Sequence, residues 1–167
     1  VKEAGFKTVR IPITWKQHMG KAPNYTVDEA WMDRINEVVD YVIDDGLYAI
    51  IDVHHDEEWC IPTAVAKEKS KEQLEALWTQ IATRFKEYDS HLIFETLNEP
   101  RVIGSELEWM GGSSEEREAV NELNEAALKT IRSTGGNNKE RAIMMPTYAA
   151  SGSVEAVGGY KVSNDPN

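Results

Sequence analysis

A glutamate preceded by an asparagine, two adjacent histidines and one arginine are the residues here whose types could act together on a substrate. They occur as Asn98-Glu99-Pro100, His54-His55-Asp56 and Arg10-Ile11-Pro12, with Pro146-Thr147-Tyr148 further on. A carboxylic acid can protonate a leaving oxygen, an amide can hold a sugar hydroxyl, and a cation with imidazoles can set the charge on neighbouring carboxylates. Together these are the needs of glycoside cleavage. Taken alone, Glu99 would read as a solvated loop acid, and Arg10 could equally satisfy a buried acid such as Glu95. The histidines beside Asp56, Glu57 and Glu58 could suggest a metal, but the spacing fits no zinc template and HExxH is absent. No metal and no cofactor are expected.

For these motifs to meet, the chain between them must bring them to one place. Short apolar runs at Lys7 to Ile13, Leu47 to Val53, Leu92 to Leu97 and Ala142 to Met145 read as strands. Between them, apolar residues at helical spacing predict three helices. The first runs near Asp28 to Asp44, with Met32, Ile35, Val39 and Val42 inward. The second runs near Lys71 to Glu87, with Leu74, Leu77, Trp78, Ile81 and Phe85 inward; the third covers Ser114 to Ser133. Strand follows strand every ~40 to 50 residues with one helix between, the pattern of repeated βα units with a parallel sheet. Strand-to-helix connections are long and helix-to-strand connections short, so function belongs at the strands' C-terminal ends. Every polar motif named above falls there.

Composition narrows the partners. The 167 residues carry 29 acidic and 18 basic side chains, a net charge of −11, which disfavours a grip on nucleic acid or anionic membranes. Neutral substrates suit it better. Cys60 is the only cysteine, so neither an intrachain disulfide nor a four-thiolate zinc site can form. No apolar run reaches a membrane-spanning length, and no leader pattern opens the chain.

The run Leu92-Ile93-Phe94-Glu95-Thr96-Leu97-Asn98-Glu99-Pro100 resembles the signature of glycoside hydrolase family 5, the cellulase family of (β/α)8 TIM barrels. Arg10-Ile11-Pro12 and His54-His55-Asp56 match its second- and third-strand motifs in order and spacing, and the resemblance covers essentially the whole chain. It implies an α/β fold with residues 1–167 forming part of a catalytic barrel, roughly strands two to five with their helices. A complete barrel takes about 250 residues, so a fragment is expected, lacking the seventh-strand nucleophile and needing the other half for activity.

By the same resemblance Glu99 is the acid/base catalyst and Asn98 holds the substrate 2-OH. Arg10 braces the nucleophile and His54 joins the hydrogen-bond network. His55, Trp15, Trp59, Trp109 and Tyr148 are candidate contacts to a β-linked polysaccharide or oligosaccharide, although any of the three tryptophans could instead anchor a loop. The implied activity is that of a secreted, retaining endo-β-1,4-glucanase of bacterial type. A non-catalytic sugar-binding half barrel, related activities on mannan, xyloglucan or lichenan, and a histidine-based metal hydrolase stay open as alternatives. If the chain stood alone, inner-facing residues among Ile11, Ile13, Ile51, Val53, Ile93 and Phe94 would meet water, depending on register.

Overall fold

A computed structural model describes all residues 1–167. Four parallel strands, β1 (Thr8–Ile11), β2 (Tyr48–Asp52), β3 (Leu92–Glu95) and β4 (Ile143–Met144), lie side by side in chain order. Helices α1 (Glu29–Asp44), α2 (Lys67–Arg84) and α3 (Ser114–Ser133) fill the crossovers, and a short α4 (Val154–Gly158) follows β4. These are successive βα units of the TIM-barrel type expected from the sequence. No helix is long and apolar enough to cross a membrane.

The helices form where capping and periodicity agree. Asp28 caps α1 by accepting from Trp31 N at 2.9 Å, and Ser113 with Glu116 forms a reciprocal capping box on α3. The inward residues expected on α1 and α2 are all buried, and Val120, Leu123, Ala127, Leu128 and Ile131 of α3 are buried with them. α2 departs from expectation at both ends. It starts four residues early, because Ser70 is buried and its hydroxyl ties the first turn to the loop, donating to Trp59 O and accepting from Ile61 N. A polar residue doing this work leaves no trace in apolar periodicity. At the other end, Phe85 is already the cap and packs into the core.

The two faces of the sheet differ in character. Ala49, Ile51, Val53, Leu92 and Phe94 turn toward the helices and join one large core, where Trp78 of α2 packs against Phe94 at 5.2 Å between centroids. Ile13, Ile51, Val53 and Phe94 are therefore not inner-facing residues left to water. The opposite, open face carries Arg10, Ile50, Asp52, Ile93, Glu95 and Met144, since Arg10 registers with Ile50, Ile50 with Ile93, Asp52 with Glu95 and Glu95 with Met144. Alternation along each strand thus puts every charged strand residue, Arg10, Asp52 and Glu95, on the open face, beside Ile50, Ile93 and Met144.

At the strands' N-terminal end, the buried guanidinium of Arg141 donates to the carbonyls of Phe85, Tyr88, Asp89 and Leu92 and to Asn138 Oδ1. It ties the start of β4 to the turn between α2 and β3, and burial pushes its pKa down to about 10.

Candidate active site

The end of β3 is gripped from behind by two helices. Trp78 Nε1 of α2 donates to Thr96 O at 3.1 Å, while the Thr96 hydroxyl donates to Asn124 of α3 at 2.6 Å, and Asn124 donates onward to Pro146 O. Asn98 N donates to Val53 O at 3.0 Å, which prolongs the β2–β3 pairing past the strands proper. Asn98 and Glu99 therefore stand at the open end on a fixed base.

Arg10 reaches the same place from β1. Its Nε donates to Glu95 Oε2 at 2.6 Å and its Nη2 to Asn98 Oδ1 at 2.8 Å; Nη2 also lies 2.7 Å from Asp52 Oδ2. The bond to Glu95 is the largest cause of a raised Arg10 pKa, with Asp52 adding to it. Arg10 thus satisfies the buried Glu95, one of the two readings its type allowed, and it also sits against Asn98. The bond from Arg10 fixes which end of the Asn98 amide faces the guanidinium, and the NH2, a donor, is left free.

Asp52, a residue the sequence reasoning passed over, joins the arginine to the histidines. Its side chain is 0% exposed, and it accepts from Ile13 N at 3.0 Å and lies 2.7 Å from His54 Nδ1. A carboxylate can only accept, so the His54 proton sits on Nδ1 and Nε2 is left as the acceptor. The signal was an acid closing an otherwise apolar strand, Tyr48-Ala49-Ile50-Ile51-Asp52, where a buried charge demands a partner.

Adjacent strand residues point to opposite faces, yet the rings of His54 and His55 meet edge to face, 4.3 Å apart. The reason is a turn in the backbone. His55 has φ 55°, the left-handed region, and its Nδ1 lies 3.1 Å from the Thr14 hydroxyl. The strand ends at Asp52, and His55 bends back beside its neighbour. Asp56 holds this turn down by accepting from Trp15 N, Lys16 N and Trp59 Nε1. Burial raises the Asp56 pKa against the pull of these bonds. With Asp56 so occupied, the His54-His55-Asp56 cluster does not converge on a shared point, and no group of three or more His, Cys, Asp or Glu is arranged to hold a metal ion.

The aromatic candidates divide. Trp15 is 0% exposed and its Nε1 donates to Asp52 O at 2.9 Å, so it anchors the loop and has no face for a ligand. Tyr148 is likewise corrected: at 1% exposure, its hydroxyl accepts from Val102 N at 2.9 Å and secures the loop behind Glu99. Gly112 makes room for it; any Cβ there would stand 2.7 Å from the Tyr148 ring, at a φ of 66°. Trp59 is half-buried. Trp109 is 60% exposed, with the Arg101 guanidinium 4.6 Å over its ring, so it remains a wall available to a ligand. Cys60 is buried and burial pushes its thiol up, which leaves it a packing residue. Val53, His55, Asp56, Glu57, Cys60 and the Leu97–Pro100 segment line one recess, which brings the two motifs together.

Similarity to known proteins agrees with this geometry. The model of the cellulase family, glycosyl hydrolase family 5, matches residues 1–167. The chain is 54% identical over 165 residues to the cellulase/esterase CelE of Acetivibrio thermocellus, covering 99% of this chain and 20% of that protein. Among solved structures it resembles a GH5-4 broad specificity endoglucanase from Clostridium acetobutylicum, with TM-score 0.97 and 55% identity over 98% of this chain and 49% of that one. It also resembles one from Ruminococcus champanellensis with bound cellotriose, with TM-score 0.97 and 50% identity over 99% of this chain and 48% of that one. The chain thus spans one fifth of the curated relative and about half of each structural relative. By sequence along its whole length, and by the fold and strand-end residues just described, it belongs to the cellulase family of glycoside hydrolases, family 5.

Proposed function

We propose that residues 1–167 supply the acid/base half of the catalytic site of an endo-β-1,4-glucanase that cleaves β-glucans with retention. Glu99 donates the proton to the leaving oxygen and later takes one from water. Asn98 donates to the sugar 2-OH through its NH2, a bond that strengthens as positive charge develops on the ring. Arg10 favours the ionised form of a second carboxylate, the nucleophile, which comes from outside these residues. His54 presents Nε2 to the same pair, His55 contacts the sugar beside the scissile bond, and Trp109 and Trp59 offer ring faces to neighbouring sugars.

The observation that carries this reading is the bond from Arg10 to Asn98 Oδ1, which orients the amide immediately before Glu99 and leaves its NH2 free to donate. The cellotriose bound to the Ruminococcus champanellensis relative supports a β-1,4-linked glucan as the ligand. Such a polymer is too large to enter a cell, so the site works outside it. The test is to follow hydrolysis of a cello-oligosaccharide by NMR, using a glucan-active enzyme that carries this segment. The β-anomer should appear first; release of the α-anomer first would contradict the retaining mechanism. Saturable oligosaccharide binding without turnover by the full-length protein that carries this segment would favour a sugar-binding role instead.

A further inference from the structure

Arg101 follows the Asn-Glu-Pro motif directly, and its side chain is only 12% exposed. Its Nη1 donates to the backbone oxygen of Glu99 at 3.0 Å, to Glu99 Oε2 at 3.4 Å and to Glu57 Oε1 at 3.4 Å. Its Nε donates to Glu108 Oε1 at 3.1 Å, and the other Glu108 oxygen accepts from Gly104 N at 2.8 Å. Its face covers Trp109. One guanidinium therefore binds the loop after β2, through Glu57, to both ends of the loop after β3.

Building on the proposed role of Glu99, we infer that Arg101 is a positioning residue that fixes the general acid and the Trp109 wall as one rigid unit. The Glu99 side chain is 40% exposed and rises from a loop, so without a partner it would sample several rotamers. Arg101 supplies that partner, and its own orientation is set independently: Glu108 holds the Nε edge and Trp109 the flat face. Glu57 and Glu108 also offset its positive charge, so Glu99 faces a directed donor and not an isolated cation. Only a planar fork can serve three carboxylates and an aromatic face together. A lysine is a point charge with no plane.

The test is to compare Arg101→Lys and Arg101→Ala, in a glucan-active enzyme carrying this segment, on two substrates. One is a cello-oligosaccharide, whose leaving sugar needs protonation; the other is an aryl β-cellobioside with a good leaving group, which does not. The ratio kcat/KM reports the first, bond-breaking step on each. A misplaced acid should lower kcat/KM on the oligosaccharide about 10- to 100-fold and on the aryl substrate less than about threefold. Equal losses on both would mean that Arg101 only supports the fold or the Trp109 wall, and would overturn the inference, as would an unaltered oligosaccharide rate. Glu99→Gln serves as the reference. If it loses oligosaccharide activity while Arg101→Lys does not, only this inference fails; if it loses nothing, the underlying reading of Glu99 fails.

Discussion

The Asp52 carboxylate lies 2.7 Å from Nδ1 of His54, and the same oxygen lies 2.7 Å from the guanidinium of Arg10. A single buried acid at the end of β2 thus orients two groups of the site. Asp52→Ala leaves Ile13 N and the His54 Nδ1 proton without their acceptor, while Arg10 keeps Glu95. The expected loss of stability is about 2 kcal/mol, read from the denaturant midpoint, together with a fall in kcat larger than any rise in KM. An unchanged midpoint would show that the carboxylate is dispensable.

Asn98 should act on the transition state more than on the bound substrate. Asn98→Ala in a glucan-active enzyme carrying this segment is expected to reduce kcat more than it raises KM, because the bond to the 2-OH strengthens as charge develops. A change confined to KM would instead indicate uniform binding.

The bonds from Gly104 N and from Arg101 hold the Glu108 carboxyl below its ordinary range. A carboxyl whose pKa is depressed on folding stabilises the fold above its unfolded value of about 4.3. That contribution is lost as pH falls through the lower folded value. Glu108→Gln should therefore lower Tm at pH 7, and its difference from the parent should close as the pH is taken toward 3. A difference constant across that range would contradict the assignment.

His55 tests the backbone. At φ 55°, asparagine fits the left-handed region better than a β-branched residue does. His55→Asn should keep the fold while losing the ring, whereas His55→Val should lose about 1–3 kcal/mol through strain. Equal unfolding midpoints for the two variants would show that the turn relaxes freely.

Much of this was legible in the sequence because it rests on repetition. The inward stripes of α1 to α3 follow a period of 3.6 and the four strands are short apolar runs, and the structure buries the helix stripes as read. The family motifs placed Arg10, His54, Asn98 and Glu99 at one end of the sheet, where Arg10 does meet Asn98. What was not legible depends on single polar contacts across elements. Asp52, Asp56 and Arg101 look like ordinary charged residues until their partners are seen. Trp15 and Tyr148 lie beyond strand ends, as Trp109 does, and differ from it in what covers them. The register of the open face was also hidden, because Ile50 and Ile51 are alike in type and only pairing decides which one meets the helices.

The most direct test of the account is Glu99→Gln in a glucan-active enzyme carrying this segment, assayed with and without azide. The amide keeps the shape and removes the transferable proton, so kcat/KM on cello-oligosaccharides should fall by about two to four orders of magnitude. On an aryl cellobioside with a good leaving group, kcat/KM should be nearly retained. Its kcat should fall for want of a base in the second step and recover with azide, giving a β-glycosyl azide. Near-normal oligosaccharide turnover by the variant, or failure of azide to restore the aryl substrate, would contradict Glu99 as the acid/base catalyst.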